Sequence, residues 1–426
     1  MKVAIAGYGA EGQSSYRYFC DKGDDVTIVT NRLSPAYPLP EGAQSIVADD
    51  AFDRLGDFDL IVRTPPMRPD SIVTEGKVWS QANEFFANCP APIIGVTGTK
   101  GKGTTCSLIA SILREAGQKV HLVGNIGVPA LDVLTQIKPS DVVVFELSSF
   151  QLWDLEKSPQ VAVVLMIEPD HLDVHRTFDE YVDAKANIVR WQTPNDVTLF
   201  HPTNHYSAKI AQQSGGASSR YAIKDDGEVY IDTNTFFVHD TPICSIDSLQ
   251  IPGAHNSENA CAAISASLRV LEDISFVEGG LRNFSGLPHR LKFIRHVNEV
   301  AYYDDSIATT PGSAIAALKA FGEGSVIILG GSDKGADYSG IVDECRRTNA
   351  QVIAIGQTGE KIQQLCEERG VFVQRETGGM KEVVKTAYGL AKPGGQVILS
   401  PASASFDQYK SYSDRGDQFI AAVGEL

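Results

Sequence analysis

The sequence predicts an α/β protein of three domains: an N-terminal Rossmann-like unit over residues 1–89, a central P-loop ATPase-like unit with a parallel-rich sheet over 90–287, and a C-terminal Rossmann-like unit over 288–426. Three observations predict it. An apolar strand, a glycine-rich turn and a helical run follow one another at the start of the chain, and the same succession recurs at residues 93–116. The last third then alternates strand and helix, the pattern of a sheet with crossover helices.

KVAIA at 2–6 reads as a buried strand, Gly7 to Gly12 as a turn, and Ser14 onward as a helix. VTIVT at 26–30 and LIVRT at 60–64 continue a βαβ pattern, and Asn88, Pro90 and Pro92 mark a linker. The second unit opens with a strand around Ile93 to Val96 and a helix from Thr104 to Ala116. Further strands follow at 142–145 and 161–167, and a helix spans Phe178 to Trp191. The third unit begins near Pro288 and places strands at 300–305, 325–331, 350–356 and 396–401, each followed by a helical segment.

At 426 residues the chain exceeds one ordinary core. No stretch approaches the roughly 20 apolar residues of a membrane span, and the start lacks the basic and long apolar regions of a signal peptide. A cytoplasmic protein without membrane insertion is expected. Its net charge of −16 disfavours nucleic acid as a partner, so an anionic ligand must be held locally. Seven cysteines without a CxxC pair argue against a disulfide framework or a zinc site.

Gly7, Gly9 and Gly12 form GxGxxG, a turn that lets backbone N–H groups approach a diphosphate. The dinucleotide reading also needs an acidic residue about 20 positions on, to hold ribose hydroxyls. Thr30, Asn31 and Arg32 stand there instead. A nucleotide-diphosphate handle on a substrate is therefore preferred over NAD; the alternative is that these glycines only pack helix on strand.

The run Gly95-Val-Thr-Gly98-Thr99-Lys100-Gly101-Lys102-Gly103-Thr104-Thr105 lies between a strand and a helix start, where N–H groups and the helix dipole favour polyphosphate. Lys102 would reach the terminal phosphates of ATP. Because Gly103 follows it directly, the hydroxyl for Mg²⁺ must come from Thr104 or Thr105. Glu146 ends the strand VVVF, and Asp170-His171 follows the neighbouring strand, so hard or borderline metal ligands are offered at one sheet edge. Phe178, Tyr181, Val182, Ile188 and Val189 form a helical stripe that also contains Lys185. Burial there would favour a neutral amine able to take up CO₂ as a carbamate. The alternative is that Lys185 snorkels to solvent.

These motifs together resemble the Mur ligase family, and within it the branch that adds D-glutamate. The resemblance spans the chain: GYGAEG at 7–12, GVTGTKGKGTT at 95–105, GNIG at 124–127, ELSSFQLW at 146–153, PDHLDVHRTFDEYVDAK at 169–185, GAHNSENA at 253–260, FSGLPHR at 284–290, DDSIATTPGS at 304–313, GGSDKGADYS at 330–339 and SPASASFDQYKSYSDRG at 400–416. It implies ATP-dependent amide formation between UDP-N-acetylmuramoyl-L-alanine and D-glutamate through an acyl phosphate, in peptidoglycan precursor synthesis, by a monomer. Gly7, Gly9, Gly12 and Arg32 would hold the uridine diphosphate, and Asn125 and His171 would face the muramoyl-alanine end.

The resemblance further implies that Gly98, Thr99, Lys100, Gly101, Lys102, Gly103, Thr104, Thr105, Asn256, Asn259, Arg290 and Asp305 bind ATP. Lys102, Glu146, His171 and Lys185 would be catalytic; Thr104, Glu146, His171 and carbamylated Lys185 would hold two Mg²⁺ ions. Thr309, Lys334, Ser405 and Tyr412 match positions for D-glutamate. The sequence departs from the family at Pro66, Gly103, Met166 and Ile307. The GKGT form is similar to that of folylpolyglutamate synthetases, which lack a separate unit like residues 1–89. A nicotinamide oxidoreductase and an ATP-binding regulator without turnover are the other readings.

Overall fold

Val3, Ala4, Ile5 and Ala6 are each fully buried, so the strand they form needs cover on both faces, as in a parallel sheet flanked by helices. The computed structural model, which describes residues 1–34, 37–224, 227–251, 253–321, 323–333 and 335–426, has that arrangement. Strands β1 (Lys2–Ala6), β2 (Asp25–Thr30), β3 (Gln44–Val47), β4 (Leu60–Arg63) and β5 (Lys77–Ser80) form a sheet ordered β3-β2-β1-β4-β5, parallel throughout. The strand order reverses between β1 and β4, so the ligand crevice of this sheet lies beyond their carboxyl ends. Helix α1 (Ala10–Asp21) leaves β1, and α2 (Gln81–Asn88) follows β5, its Asn83 N–H donating to the Ser80 hydroxyl.

A second sheet, ordered β11-β10-β9-β6-β8-β7, contains β6 (Ile93–Thr97), β7 (Val120–Gly124), β8 (Val142–Glu146), β9 (Val161–Val164), β10 (Val197–Phe200) and β11 (Ala217–Arg220). It too is parallel. Helices α3 (Lys102–Glu115), α4 (Ser149–Leu152), α5 (Phe178–Arg190) and α6 (His205–Ala211) connect its strands. Three antiparallel strands follow, β12 (Val229–Asp232), β13 (Thr235–Val238) and β14 (Thr241–Ser245), then α7 (Ala254–Ser267) and α8 (Phe276–Asn283).

The last sheet is ordered β15-β16-β20-β17-β18-β19, from β15 (Lys292–Val297), β16 (Val300–Asp304), β17 (Val326–Gly330), β18 (Gln351–Ile355), β19 (Val373–Arg375) and β20 (Gln396–Leu399). Only its edge pair β15–β16 is antiparallel. Helices α9 (Pro311–Ala320), α10 (Ser339–Arg347), α11 (Gly359–Glu368), α12 (Met380–Leu390) and α13 (Tyr412–Gly424) complete it. The fold divides into two compact units, Met1–Phe284 and Ser285–Leu426. Among the described residues, no helix is long and apolar enough to cross a membrane.

Several boundaries differ from the sequence reading for local reasons. The strand expected over 161–167 stops at Val164, because Leu165 and Met166 turn to pair with the glycine loop: Leu165 N–H donates to Thr97 O at 2.9 Å and Thr99 N–H to Met166 O at 2.9 Å. The helix expected from Thr104 starts at Lys102, since Gly101 adopts the left-handed conformation, φ +87°, just before it. The antiparallel sheet at 229–245 carries no glycine or proline signal at its first turn. Thr233 and Asn234 there take φ of +44° and +64°, the geometry usually supplied by Asn-Gly.

Within the first unit, the two parallel sheets are joined by Arg63 at the end of β4. Its side chain is 0% exposed, and its donors are distributed over one carboxylate and three carbonyls. Nε and Nη2 bond Asp154 at 2.8 and 2.5 Å, Nη2 also bonds Phe150 O at 2.9 Å, and Nη1 bonds Pro65 O and Met67 O at 3.2 Å each. A buried guanidinium is tolerable only when its donors are met. Arg63→Ala would leave Asp154 and three carbonyls without that partner, and should cost roughly 3–5 kcal/mol. Urea unfolding of the first unit checks this; a midpoint unchanged from the parent would contradict the anchoring role.

Candidate active site

The first glycine turn is built by steric necessity at two positions and left open at the third. Gly7 has φ +94° and a Cβ there would lie 2.2 Å from Thr64 Oγ1, while a Cβ at Gly12 would lie 2.3 Å from Gly7 O. A Cβ at Gly9 would meet nothing within 4 Å, so its glycine is not demanded by packing and leaves backbone accessible. Gly7 N–H donates to Val29 O at 2.8 Å, which sets the turn beside the end of β2. Exposed Arg32 follows that strand, its carbonyl accepting from Thr30 Oγ1 at 2.9 Å. Glu11 lies in the first turn of α1 and accepts from Gln151 Nε2 at 2.7 Å. Burial pushes its carboxyl up to about 7, against the opposing pull of Gln151 and Arg63.

At the second sheet, Gly98 to Gly101 turn from β6 into α3. Gly98 has φ +152° and a Cβ on it would sit 2.6 Å from Leu165 Cβ; a Cβ on Gly101 would sit 2.4 Å from Asn259 Oδ1. Asn259 is thus packed on the loop, and its amide nitrogen lies 3.4 Å from Asn256 Oδ1. The N-terminus of α3 has no side-chain cap and no acidic residue in its first turn. Its N–H groups and positive dipole end are therefore available to an anion. Lys102 Nζ reaches back to Thr99 O at 2.9 Å and Gly98 O at 3.1 Å. Thr99 is committed to structure, its hydroxyl bonding Glu168 O at 3.0 Å and Tyr181 OH at 3.1 Å. Lys100 is exposed beside it, and Gly103 is half-buried.

Lys185 does not snorkel. It is 1% exposed, its ammonium lies over the Tyr181 ring, and Nζ bonds Gly98 O at 2.9 Å and Thr97 Oγ1 at 3.3 Å. Two lysine side chains therefore meet at one carbonyl oxygen. Burial and then the Lys102 charge hold Lys185 well below the usual lysine range, against smaller opposite contributions from Asp170 and Glu146. The same interactions put Asp170 and Glu146 within electrostatic reach of that amine.

Glu146 is buried at the end of β8. Exposed Asn125 holds it from both sides, Nδ2 donating to Oε1 and the backbone N–H to the Glu146 carbonyl, each at 3.2 Å. His171 projects outward with φ +53°, 47% exposed, its ring 4.9 Å from Phe150 and its Nε2 3.8 Å from Asp170. A left-handed histidine is uncommon and tends to mark a functional loop.

Among the described residues, no three His, Cys, Asp or Glu side chains gather closely enough to hold a metal alone. Glu146 and one threonine hydroxyl nonetheless fit Mg²⁺, which takes one or two carboxylates and fills its shell with phosphate oxygens and water. Thr105 is fully buried and its hydroxyl has no partner among the described residues, whereas Thr104 is 6% exposed. Thr104 is the less buried of the two.

The second unit holds the remaining candidates. Asp305 is buried behind β16, accepting from Ser400 Oγ at 2.6 Å and Leu291 N–H at 3.2 Å. Burial raises its carboxyl to about 7, with the Arg290 charge among the opposing influences. Thr309 and Arg290 are exposed, and Tyr412 is 40% exposed at the start of α13. Ser405 is 2% exposed and its hydroxyl has no partner among the described residues. Fully buried Arg415 ties these segments together through Ser306 Oγ, Ser306 O and Ser403 O at 2.8–3.1 Å, and Ser306 Oγ donates to Tyr412 O. Lys334 lies outside the described residues.

The sequence reading missed Thr97 and the Gly98 carbonyl as the seat of Lys185, along with Arg63, Arg68 and Phe150. The one available signal was that Thr97 ends a strand next to the glycine loop. In family comparison, residues 96–267 match the Mur ligase middle domain and residues 289–403 the Mur ligase, glutamate ligase domain. The UDP-N-acetylmuramoylalanine--D-glutamate ligase of Acetivibrio thermocellus is 36% identical, covering 100% of this chain and 96% of that one. Among solved structures, the UDP-N-acetylmuramate-alanine ligase MurC of Thermotoga maritima covers 100% of this chain and 99% of its own at 17% identity and TM-score 0.64. E. coli FolC in complex with DHPP and ADP covers 81% and 91% at 20% identity and TM-score 0.57.

His175, buried behind His171, supplies a pH prediction. Its Nε2 lies 3.0 Å from Ser149 Oγ and its ring stacks on Phe150. Burial lowers its pKa from near 6.5 to about 4. The unfolded chain then binds the extra proton between those values, so stability falls as pH drops from about 6.5 to about 4. Thermal unfolding should show a shallower decline over that window in His175→Phe than in the parent; identical slopes would contradict the burial argument.

Proposed function

The chain belongs to the Mur ligase family, and we propose that it forms its amide bond at the sheet edge between Thr97 and Lys102. It is an ATP-dependent ligase that adds D-glutamate to UDP-N-acetylmuramoyl-L-alanine in peptidoglycan precursor synthesis. The observation that carries the site assignment is the convergence of Lys102 and Lys185 on Gly98 O beside an uncapped helix N-terminus. That place concentrates positive potential where phosphate charge must be held.

The division of labour follows three domains, 1–89, 90–287 and 288–426. The open backbone at Gly9, within the Gly7 to Gly12 turn, and Arg32 hold the uridine diphosphate. Gly98 to Thr105, Asn256 and Asn259 hold ATP, and Arg290 and Asp305 are further nucleotide-binding residues. Thr309, Lys334, Ser405 and Tyr412 receive D-glutamate; the unpartnered Ser405 hydroxyl supports this, since a dicarboxylate needs donors. Thr104 and Glu146 hold Mg²⁺, and His171 with a carbamate on Lys185 holds a second ion. These ions supply neutralisation of phosphate charge. Exclusion of water from Lys185 supports the carbamate, because it favours the neutral amine that adds to CO₂.

The chemistry balances in two steps. The alanine carboxylate oxygen attacks the γ-phosphorus, forming an acyl phosphate and releasing ADP. The D-glutamate ammonium gives one proton to solvent, the neutral amine attacks the acyl carbon, and the C–O bond to phosphate breaks as the second N–H proton passes to the departing phosphate, leaving the amide. Lys102 stabilises the transferred charge, and Asn125 orients Glu146. The enzyme works in the cytoplasm as a monomer. Phosphate release with UDP-N-acetylmuramoyl-L-alanine should depend strictly on D-glutamate, with L-glutamate and L-lysine near background. Equal release with L-glutamate would contradict the substrate assignment.

A further inference from the structure

The loop after β4 carries a second arginine that no step above uses. Arg68 is half-buried, 16% exposed, and its guanidinium contacts three parts of the molecule. Nη2 and Nη1 bond the Glu180 carboxylate at 2.5 and 3.2 Å, Nη1 also bonds Val174 O at 3.0 Å, and Nε and Nη2 bond Asp70 at 2.9 Å. The guanidinium carbon lies 4.8 Å from the centre of the Trp153 ring.

The contact to Val174 leads directly to His171. Val174 N–H donates to His171 O at 3.1 Å and His175 N–H to the same oxygen at 2.9 Å. Arg68 thus holds the far end of the turn whose first residue is the left-handed histidine. Glu180 closes the other side by accepting from Arg176 N–H at 2.6 Å, and Arg176 pairs with Asp70 at 2.9 Å. Arg68, Asp70, Arg176 and Glu180 alternate in sign, so the cluster is neutral as a whole. The Arg68 hydrogen bonds hold the Glu180 carboxyl below the usual carboxylate range, so the cluster stays charged at neutral pH.

A histidine at φ +53° on an exposed loop needs surrounding structure to keep it there. We propose that Arg68 is a positioning residue for the ligation: from the crevice loop of the N-terminal sheet it fixes the 171–180 segment and so sets His171 toward the reacting groups. The inference rests on the catalytic reading of His171 given above. It also makes the loop bordering the first crevice, residues 64–71, a physical link between uridine-diphosphate binding and the acyl site.

Four full-length variants test it under saturating substrates. Arg68→Ala should lower kcat about 10- to 100-fold while leaving KM for ATP within about twofold, because the glycine loop is untouched. Arg68→Lys should recover part of the loss, since an ammonium can reach Glu180 or Val174 O but does not reproduce the fork. Glu180→Gln should lower kcat in the same direction, and the double variant Arg68→Ala/Glu180→Gln should be no worse than Arg68→Ala alone. Unchanged kcat in Arg68→Ala, or losses that multiply in the double variant, would overturn the positioning role. His171→Ala serves as the separate control: full turnover there would remove the reading of His171 itself, on which the inference depends.

Discussion

One carbonyl oxygen organises the central site. Gly98 O accepts from both Lys102 and Lys185, and two ammonium groups cannot share so small a space in a buried setting without a cost. The relief available is chemical. Either an anion arrives, as phosphate at the half-buried Lys102, or the buried amine gives up its proton, as at Lys185. The geometry therefore prepares one lysine to bind charge and the other to lose it, from residues 83 positions apart in the chain.

That arrangement depends on the way the loop is held. Gly98 and Gly101 take backbone conformations that side chains rarely adopt, with Leu165 and Asn259 filling the space where a Cβ would be. The loop is also bound to the strand end at Met166 and to Glu168 through Thr99. A loop fixed in this way presents its N–H groups without reorganisation, which is what makes electrostatic stabilisation effective. Met166 contributes through its carbonyl, so this tie does not depend on its side chain.

Much of this was legible in the sequence because short-range signals carry it. The strands flanking the two glycine turns and the alternation of the last sheet follow from local pattern; Glu146 ends β8, and Lys102 and His171 follow β6 and β9 within a few residues, near the edge where ligand crevices form. Periodicity placed Lys185 on an apolar stripe but left open whether it escapes to solvent; only the packing of α5 on the glycine loop decides that. Arg63 and Arg68 were unreadable for a different reason. As sequence they are a strand residue and a loop charge, and their partners Asp154 and Glu180 lie 91 and 112 residues away. Tertiary pairing of that range leaves no periodic trace.

The proposed site depends on Lys185, which burial holds well below the usual lysine range, taking up CO₂ as a carbamate. Carbon-13 NMR of the enzyme in labelled bicarbonate measures it directly. The parent protein should show a carbamate resonance that is absent from Lys185→Ala. An active parent enzyme with no carbamate resonance, or a resonance that persists in the variant, would contradict it.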